Sequence, residues 1–112
     1  MKKITAVVRP EMLEAVKAAL EAAGYPGMML TRIDGHGKQG GKVEQFRGRQ
    51  YKVSMLPKYK IEIICADERC EPIIEAILTS AQTGEVGDGK IFVSTIDEVV
   101  RIRTRERGPD AI

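Results

Sequence analysis

The segment 83–90, with the sequence TGEVGDGK, carries the clearest chemical pattern in this chain. Its glycines allow backbone N–H groups to converge on an anion, and Lys90 supplies positive charge beside them. The segment also matches G-x-x-x-x-G-K, but Ile91 stands where a P-loop needs Ser or Thr, and a strand is predicted where a P-loop opens a helix. The pattern therefore indicates a turn that can hold phosphate without being a P-loop, the alternative being a plain tight turn.

Further cations are expected to join this turn. The segment 98–104 is predicted to be extended, so Arg101 and Arg103, two residues apart, would point the same way. Lys38 and Lys58 bracket a long segment in the middle of the chain. A cluster of this kind is costly unless an anion neutralises it, and polyphosphate is the natural candidate. The alternative is a solvated basic surface.

The long middle segment, 37–55, exceeds what a simple connection needs. It has glycines and cations but no helical or strand period, and structureless loops beyond about 12 to 15 residues are usually functional or disordered. Phe46, Arg47, Arg49 and Tyr51 are residue types that anchor partners. We expect a protruding recognition loop, the alternative being a disordered insertion.

The secondary structure around these segments follows one order twice. Hydrophobic periodicity, with Pro near each helix start and Gly after each helix end, predicts the elements. Their order is strand 2–8, helix 10–23 and strand 27–35, then strand 61–65, helix 72–81 and strand 90–96. Two βαβ units predict an α+β, ferredoxin-like double βαβ sandwich with both helices on one sheet face. Because the strands are apolar on both sides, we expect self-association to bury the open face.

Composition indicates one ordinary domain spanning residues 1–112. The chain is 43% hydrophobic and 30% charged, and no apolar run approaches the ~20 residues that cross a bilayer. Its first residues form a predicted strand rather than a signal peptide, so we expect a cytoplasmic location. The net charge of +2 is too small to suggest nucleic acid. Cys65, Cys70 and the single histidine, His36, cannot form a zinc or disulfide framework, so reduced thiols are predicted.

Four motifs follow one another along the chain, namely FRGRQY at 46–51, LPK at 56–58, AQTGEVGDGKIFV at 81–93 and VRIRT at 100–104. In this order they make the chain resemble the PII family of nitrogen regulatory signal-transduction proteins over residues 1–112. The resemblance implies a ferredoxin-like homotrimer with a long protruding T-loop at about 37–55, a nucleotide-binding turn at about 82–90 and a C-terminal loop at about 102–112. ATP and ADP would compete for three clefts between subunits.

The resemblance also implies which residues bind nucleotide. The turn would hold phosphates and ribose, Arg101 and Arg103 would reach the phosphates from the adjacent subunit, and the backbone of Ile64 would recognise adenine. The nucleotide-binding residues implied are Met29, Gly35, Gly37, Lys38, Gln39, Ile64, Thr83, Gly87, Asp88, Gly89, Lys90, Arg101 and Arg103.

A second effector is implied at the base of the T-loop, namely 2-oxoglutarate bound beside magnesium and ATP. Gln39 would ligate the metal and Lys58 would meet a carboxylate, and the full set is Gly37, Gln39, Gly40, Gly41 and Lys58. ATP and magnesium would complete the coordination that the keto acid needs, so the two effectors would be positively linked, whereas ADP would not give this linkage. Ligand occupancy would then select among T-loop conformations.

The T-loop would contact the targets of the protein through Phe46, Arg47 and Arg49. In the family, Arg47 can plug an ammonium channel, which implies an ammonium transporter as partner and reversible membrane association. Other nitrogen-metabolism enzymes or kinases are further candidate targets. Tyr51 matches a tyrosine that some lineages uridylylate, and a plain partner contact is the alternative.

Four positions depart from the family pattern. This chain has Lys38 where the family has arginine, Gly40 where it usually has lysine, Met29 where it often has threonine and Arg105 where it commonly has glycine. Lys38 keeps the charge but loses a bidentate fork, and Met29 can pack on adenine without donating a hydrogen bond.

Two other classes of protein share some of these features. A small phosphatase or nucleotide hydrolase would also place cations around a Gly-rich turn, with Asp88 positioning water, but the chain has no evident catalytic set. An RNA-binding ferredoxin-like module shares the topology, but the central strands lack paired stacking aromatics. We therefore expect a signalling protein that is not an enzyme and does not bind nucleic acid.

Overall fold

The computed structural model describes residues 1–25, 27–35 and 56–112, together with the backbone of 43–46 and 49–52. The strands are β1 (Lys2–Val8), β2 (Met29–Gly35), β3 (Val43–Phe46), β4 (Arg49–Lys52), β5 (Leu56–Cys65) and β6 (Lys90–Thr95). The helices are α1 (Leu13–Ala22) and α2 (Cys70–Ala81), with 3₁₀ turns at Pro10–Met12, Asp67–Arg69 and Gly108–Ala111.

Four of the strands form one antiparallel sheet in the order β2-β5-β1-β6. The register pairs Ile4 of β1 with Ile63 of β5 and with Val93 of β6. Because side chains alternate along a strand, this register aligns the apolar residues of the central strands on one face. Ile4 and Ile61 are fully buried there.

Both helices cover that face. Val16 and Leu20 of α1 lie four residues apart, as do Ile73 and Ile77 of α2, so each pair occupies one side of its helix. All four side chains are at most 2% exposed and belong to one core cluster with the inner residues of β1 and β5. The strand order and the one-sided helix layer confirm the predicted α+β, ferredoxin-like arrangement.

Within the described residues, the opposite face of the sheet is uncovered. Thr5 of β1 lies between Glu62 of β5 and Phe92 of β6, and Glu62 lies beside Met29 of β2. Phe92 is 55% exposed and Met29 is 53% exposed. This open face carries most of the candidate site described below.

The long segment 37–55 contains regular structure that its composition did not predict. The backbones of β3 and β4 pair as an antiparallel hairpin, with Val43 opposite Lys52 and Phe46 opposite Arg49. A strand pair so short presents too few positions for an alternating pattern to be recognised in the sequence.

The prediction of an extended segment over 98–104 is wrong. Residues 102–104 form a turn, and the only ladder contact is an isolated bridge between Val100 and Arg107. The Arg105 N–H donates to the Arg101 carbonyl at 2.7 Å, and Arg105 has a φ of 64°. The chain therefore reverses here, so Arg101 and Arg103 do not share one face of a strand.

No helix in the described part of the chain is long and apolar enough to cross a membrane.

Candidate functional site

The open face gathers several of the predicted site residues. Side chains at even positions of β5, including Lys58 and Ile64, point to this face. Lys90 of β6 joins them because it lies opposite Val7 of β1, which in turn lies opposite Lys60. Met29 pairs with Glu62 on the same face. Tertiary pairing thus brings residues from three separate strands onto one surface.

Asp88 organises the turn between α2 and β6. Its carboxylate accepts hydrogen bonds from the backbone N–H of Thr83 at 2.8 Å and of Gly84 at 2.9 Å, and also from the Thr83 hydroxyl. The hydroxyl oxygen accepts the N–H of Glu85 at 3.1 Å. The hydrogen bond from the Thr83 hydroxyl foremost, and then those from the N–H groups of Thr83 and Gly84, hold the pKa of Asp88 well below its usual range. The ionised Asp88 carboxylate thus holds the two ends of the turn together.

Glycine is required where the turn meets the sheet. Gly87 has a φ of 107° and Gly89 a φ of 98°, in the region that L side chains rarely adopt. A Cβ on Gly89 would lie 1.7 Å from the carbonyl oxygen of Val7. The turn can therefore lie directly against β1 only because this position has no side chain.

Two cations, one just after β1 and one on β5, bind two carbonyl groups of this turn. Arg9, which follows β1, donates from Nε to Asp88 Oδ1 at 3.2 Å and from Nη2 to the Val86 carbonyl at 2.8 Å. Lys58 Nζ donates to the Gly87 carbonyl at 2.8 Å. Lys58 is 8% exposed, and burial, followed by the nearby Arg9 charge, lowers its pKa. With Lys90 on the neighbouring strand, the turn lies among three cations, an arrangement suited to an anion.

A groove of about 670 Å³ lies on the other side of the turn, between α2 and the edge strand β6. Ile74, Leu78 and Val93 supply apolar walls, and Asp88 and Gly89 also line it. The turn is therefore accessible from the helix side as well as from the open face.

Comparison with known proteins shows which family combines this fold with this turn. Residues 1–106 match the family described as Nitrogen regulatory protein P-II. The chain belongs to the P-II family. It is 56% identical over 112 residues, which is all of this chain and 97% of the relative, to Nitrogen regulatory protein P-II 2 of Methanothermobacter thermautotrophicus. The identity is 53% to Nitrogen regulatory protein P-II of Rhizobium meliloti and 54% to that of Mesorhizobium japonicum, with both chains fully covered.

P-II proteins are nitrogen regulatory proteins rather than enzymes, which confirms the predicted signalling class. The site itself agrees with this assignment. The carboxylate of Asp88, the residue considered as a water-positioning group, already accepts hydrogen bonds from Thr83, Gly84 and Arg9. Its lowered pKa makes it a poor proton acceptor.

Arg101 and Arg103 of this P-II chain make no described contact with the turn of the same chain. Arg101 Nη1 pairs with Glu106 at 2.9 Å, and Nη2 donates to the Asp110 carbonyl at 3.1 Å. The Thr104 hydroxyl and then the Arg101 charge lower the pKa of Glu106. Arg103 is exposed in the 102–104 turn. The single chain therefore brings Arg9 and Lys58 to the turn, which ends in Lys90, but not these two arginines.

The T-loop residues of the predicted site lie largely outside the described residues. These are Gly37, Lys38, Gln39, Gly40, Gly41 and Arg47, and His36 is outside as well. For Phe46, Arg49 and Tyr51 the structure describes the backbone alone. Gly35, the last residue of β2, is described, and a Cβ there would lie 2.9 Å from Lys58 Cγ. Gly35 thus leaves room for the buried lysine.

Sequence reasoning missed Arg9. It stands 79 residues from Asp88 and outside every motif of the chain, so composition and spacing could not connect the two. The available signal was positional, since residue 9 continues the odd-numbered side of β1, which faces the open surface.

The described region offers neither a metal site made of His, Cys, Asp or Glu side chains nor an exposed thiol. Among the described side chains, no group of three His, Cys, Asp or Glu residues could hold a metal ion. Cys65 and Cys70 are buried free thiols, and burial foremost raises the pKa of Cys65. They are therefore structural residues of the core, as predicted.

Proposed function

We propose that this P-II chain is a signal transducer of nitrogen, carbon and energy status that binds ATP and ADP in competition. It binds 2-oxoglutarate together with Mg-ATP, and the bound state sets the conformation of the T-loop. The observation that carries the proposal is the convergence of Arg9 and Lys58 on the glycine turn 83–90, which itself ends in Lys90. Such a site favours a polyphosphate anion.

The nucleotide would lie along the open face. The backbone of 87–90 and the Lys90 ammonium would hold the phosphates, while Met29 and Ile64, on the same face, would contact adenine. Arg101 and Arg103 would come from the adjacent subunit of a homotrimer. Their fork-shaped guanidinium groups suit phosphate oxygens, and an incoming phosphate would compete with Glu106 for Arg101.

The 2-oxoglutarate site would link the turn to the T-loop. A carboxylate of the keto acid would meet Lys58, and Gln39 would ligate magnesium with ATP. Because Lys58 Nζ donates to the Gly87 carbonyl, a ligand carboxylate at Lys58 would also change the hydrogen bonding of the turn. This shared lysine supports a positive linkage between the two effectors.

The output of the sensor would be an altered complex with a target. An ammonium transporter is the proposed partner, contacted by Phe46, Arg47 and Arg49, which would bring a cytoplasmic protein reversibly to the membrane. Uridylylation of Tyr51 would add bulk and negative charge at the same contact. An RNA-binding module is less well supported, because Phe92 is the only aromatic residue on the open face of the described sheet.

Calorimetric titration tests the effector proposal. We expect ATP and ADP to compete for the wild-type protein and 2-oxoglutarate to bind only with Mg-ATP. Lys90→Gln should weaken ATP binding by about tenfold, because one charge-assisted contact is lost. Lys17→Gln is the matched control, since Lys17 lies on α1 and pairs only with Glu14, at 3.6 Å, among the described residues. Absence of nucleotide binding to the wild-type protein would exclude the proposed function.

A further inference from the structure

Arg9 occupies the centre of the site without belonging to any of its motifs. Its side chain is 16% exposed, and that of Asp88 is 23% exposed. One guanidinium binds the Asp88 carboxylate through Nε and the Val86 carbonyl through Nη2. Because the donors of arginine are fixed in a plane, these two contacts set the separation and orientation of two nearby groups in the turn.

Lys58 binds the next carbonyl group along the turn, that of Gly87. Its Nζ binds the Gly87 oxygen at 2.8 Å, so the Val86 and Gly87 carbonyls are both directed at cations of the sheet. In a planar trans peptide, the C=O and the following N–H point in opposite directions. The N–H groups of Gly87 and Asp88 therefore point away from Arg9 and Lys58. Within the described part of the chain, neither N–H donates a hydrogen bond to the protein.

We propose that Arg9 is a positioning residue of the nucleotide turn. By holding the Val86 carbonyl, it fixes the peptide plane whose N–H, at Gly87, receives the polyphosphate. Through the Asp88 carboxylate it also keeps the turn beside Lys58, which fixes the plane of the Asp88 N–H by binding the Gly87 carbonyl. Arg9 acts through the turn and adds to the local hydrogen bonds from Thr83 and Gly84. This inference rests on the proposed nucleotide function.

The contacts of Arg9 differ from those of a surface ion pair. Its second acidic neighbour, Glu11, is 63% exposed and 3.9 Å away, a pair that contributes little to stability. The Val86 contact, in contrast, is a 2.8 Å bond to the backbone of the turn itself. Removing Arg9 releases the Val86 carbonyl and leaves the Asp88 carboxylate held only from within the turn, so its bonds to the Thr83 and Gly84 N–H groups should open more often. The expected effect is therefore on the orientation of the turn rather than on folding.

The test compares Arg9→Gln, Arg9→Lys and a matched control, Arg69→Gln. Arg69 is exposed, and its Nη1 donates to the Tyr25 hydroxyl at 3.4 Å, away from the turn. The dissociation constants for ATP and for adenosine are measured by calorimetry and competition. In the protein without nucleotide, amide hydrogen exchange is followed at Thr83 and Gly84.

We expect Arg9→Gln to weaken ATP binding by about tenfold and to leave adenosine binding unchanged, because adenosine has no phosphate to meet the turn. Arg9→Lys should recover part of the loss, since it keeps the charge but not the fork. Exchange at Thr83 and Gly84 should become faster in Arg9→Gln and stay unchanged in Arg69→Gln.

Unchanged ATP affinity in Arg9→Gln, or an equal loss for ATP and adenosine, would overturn the positioning role. Failure of the wild-type protein to bind ATP would instead remove the proposed function. In that case the exchange rates at Thr83 and Gly84 alone decide whether Arg9 holds the turn, and unchanged rates in Arg9→Gln would refute it.

Discussion

Single side chains decide the shape of the glycine turn, and Asp88 has the largest part in it. Its carboxylate ties the first residues of the turn to the last by accepting the N–H groups of Thr83 and Gly84. Arg9 then ties the same carboxylate to the sheet. Since all of these partners favour the charged form, the order of the turn depends on the ionisation of one carboxylate.

Asp88 should therefore make stability depend on pH in acid. Its pKa is lower in the folded protein than the value of about 3.9 in an unfolded chain, so its stabilisation is present above that value and is lost as the pH falls below it. We expect the difference in unfolding free energy between the wild type and Asp88→Asn to be largest near pH 7 and to shrink below about pH 4. Urea unfolding at a series of pH values measures this difference.

Asp97→Asn serves as the control for that series. Asp97 is exposed, and its carboxylate makes no hydrogen bond or ion pair within the described chain. Asp97→Asn should therefore leave the dependence of the unfolding free energy on pH unchanged. A wild-type advantage over Asp88→Asn that is constant from pH 7 to pH 3 would contradict the role of the ionised carboxylate.

Gly89→Ala should be one of the more destabilising small substitutions in the turn. The added Cβ would collide with the Val7 carbonyl, and the φ of 98° would strain any L residue. We expect a loss of about 3 to 5 kcal/mol in unfolding free energy. Urea unfolding at a fixed protein concentration measures it, because an oligomer makes apparent stability concentration-dependent.

Gly84→Ala separates the two causes of that loss. Its φ of 89° is similarly strained, but an added Cβ there would meet no atom within 4 Å. We expect a loss of about 1 to 2 kcal/mol, from backbone strain alone. Equal losses for the two variants would show that the approach of the turn to β1 is less close than described.

The segment after β6 is held by fewer contacts than the sheet and the helices. The four-stranded sheet and the two helices share one core, whereas the chain after β6 has the Val100–Arg107 bridge, the turn at 102–104 and the short 3₁₀ turn Gly108–Ala111. Arg105 closes this turn with a positive φ, the only such non-glycine residue in the described chain. This is the position at which the family commonly has glycine, so the departure noted in the sequence coincides with a strained backbone.

Arg105→Gly should therefore stabilise the C-terminal segment. Relief of the left-handed strain is worth about 1 to 2 kcal/mol, and the greater freedom of glycine in the unfolded chain offsets about half of it. We expect a net gain of about 0.5 to 1 kcal/mol in urea unfolding. Arg103→Gly, two residues earlier and without positive φ, should give no gain, and a gain there as large as at Arg105 would contradict this reason.

In the described part of the chain, one face of the four-stranded sheet is uncovered. Phe92, opposite Thr5, is 55% exposed on that face, beside strands whose other side is fully packed. Apolar residues of this kind on a sheet commonly mark a surface for self-association. The homotrimer proposed above would bury it and would bring Arg101 and Arg103 of one subunit toward the turn of another.

Phe92→Lys should weaken this association. Equilibrium sedimentation of the wild type is expected to give about three times the 12.4 kDa of one chain, and Phe92→Lys should shift the mass toward the monomer. Leu78→Lys is the comparison, because Leu78 is also partly exposed, at 45%, but lies on α2. A monomeric wild type at micromolar concentration, or an unchanged mass for Phe92→Lys, would refute the open face as the interface.

The order of elements could be predicted from local patterns in the chain. Alternation over 2–8 and around 61–65, and four-residue spacing in the helices, depend on neighbouring residues only, and the structure has strands and helices at these places. The glycines of 83–90 likewise indicated a special backbone, which the positive φ values at Gly84, Gly87 and Gly89 confirm. The segment 98–104 was misjudged because alternation over a few residues does not exclude a turn closed by one left-handed residue.

The residues that contact the glycine turn from elsewhere in the chain, in contrast, are determined by the tertiary structure alone. Arg9 meets Asp88 across 79 residues, and Lys58 meets Gly87 across 29. Such contacts depend on strand register and on the close approach of Gly89 to Val7, and neither leaves a periodic trace in the sequence. The sequence thus indicates a glycine turn with a special backbone, but only folding determines which cations hold it in shape.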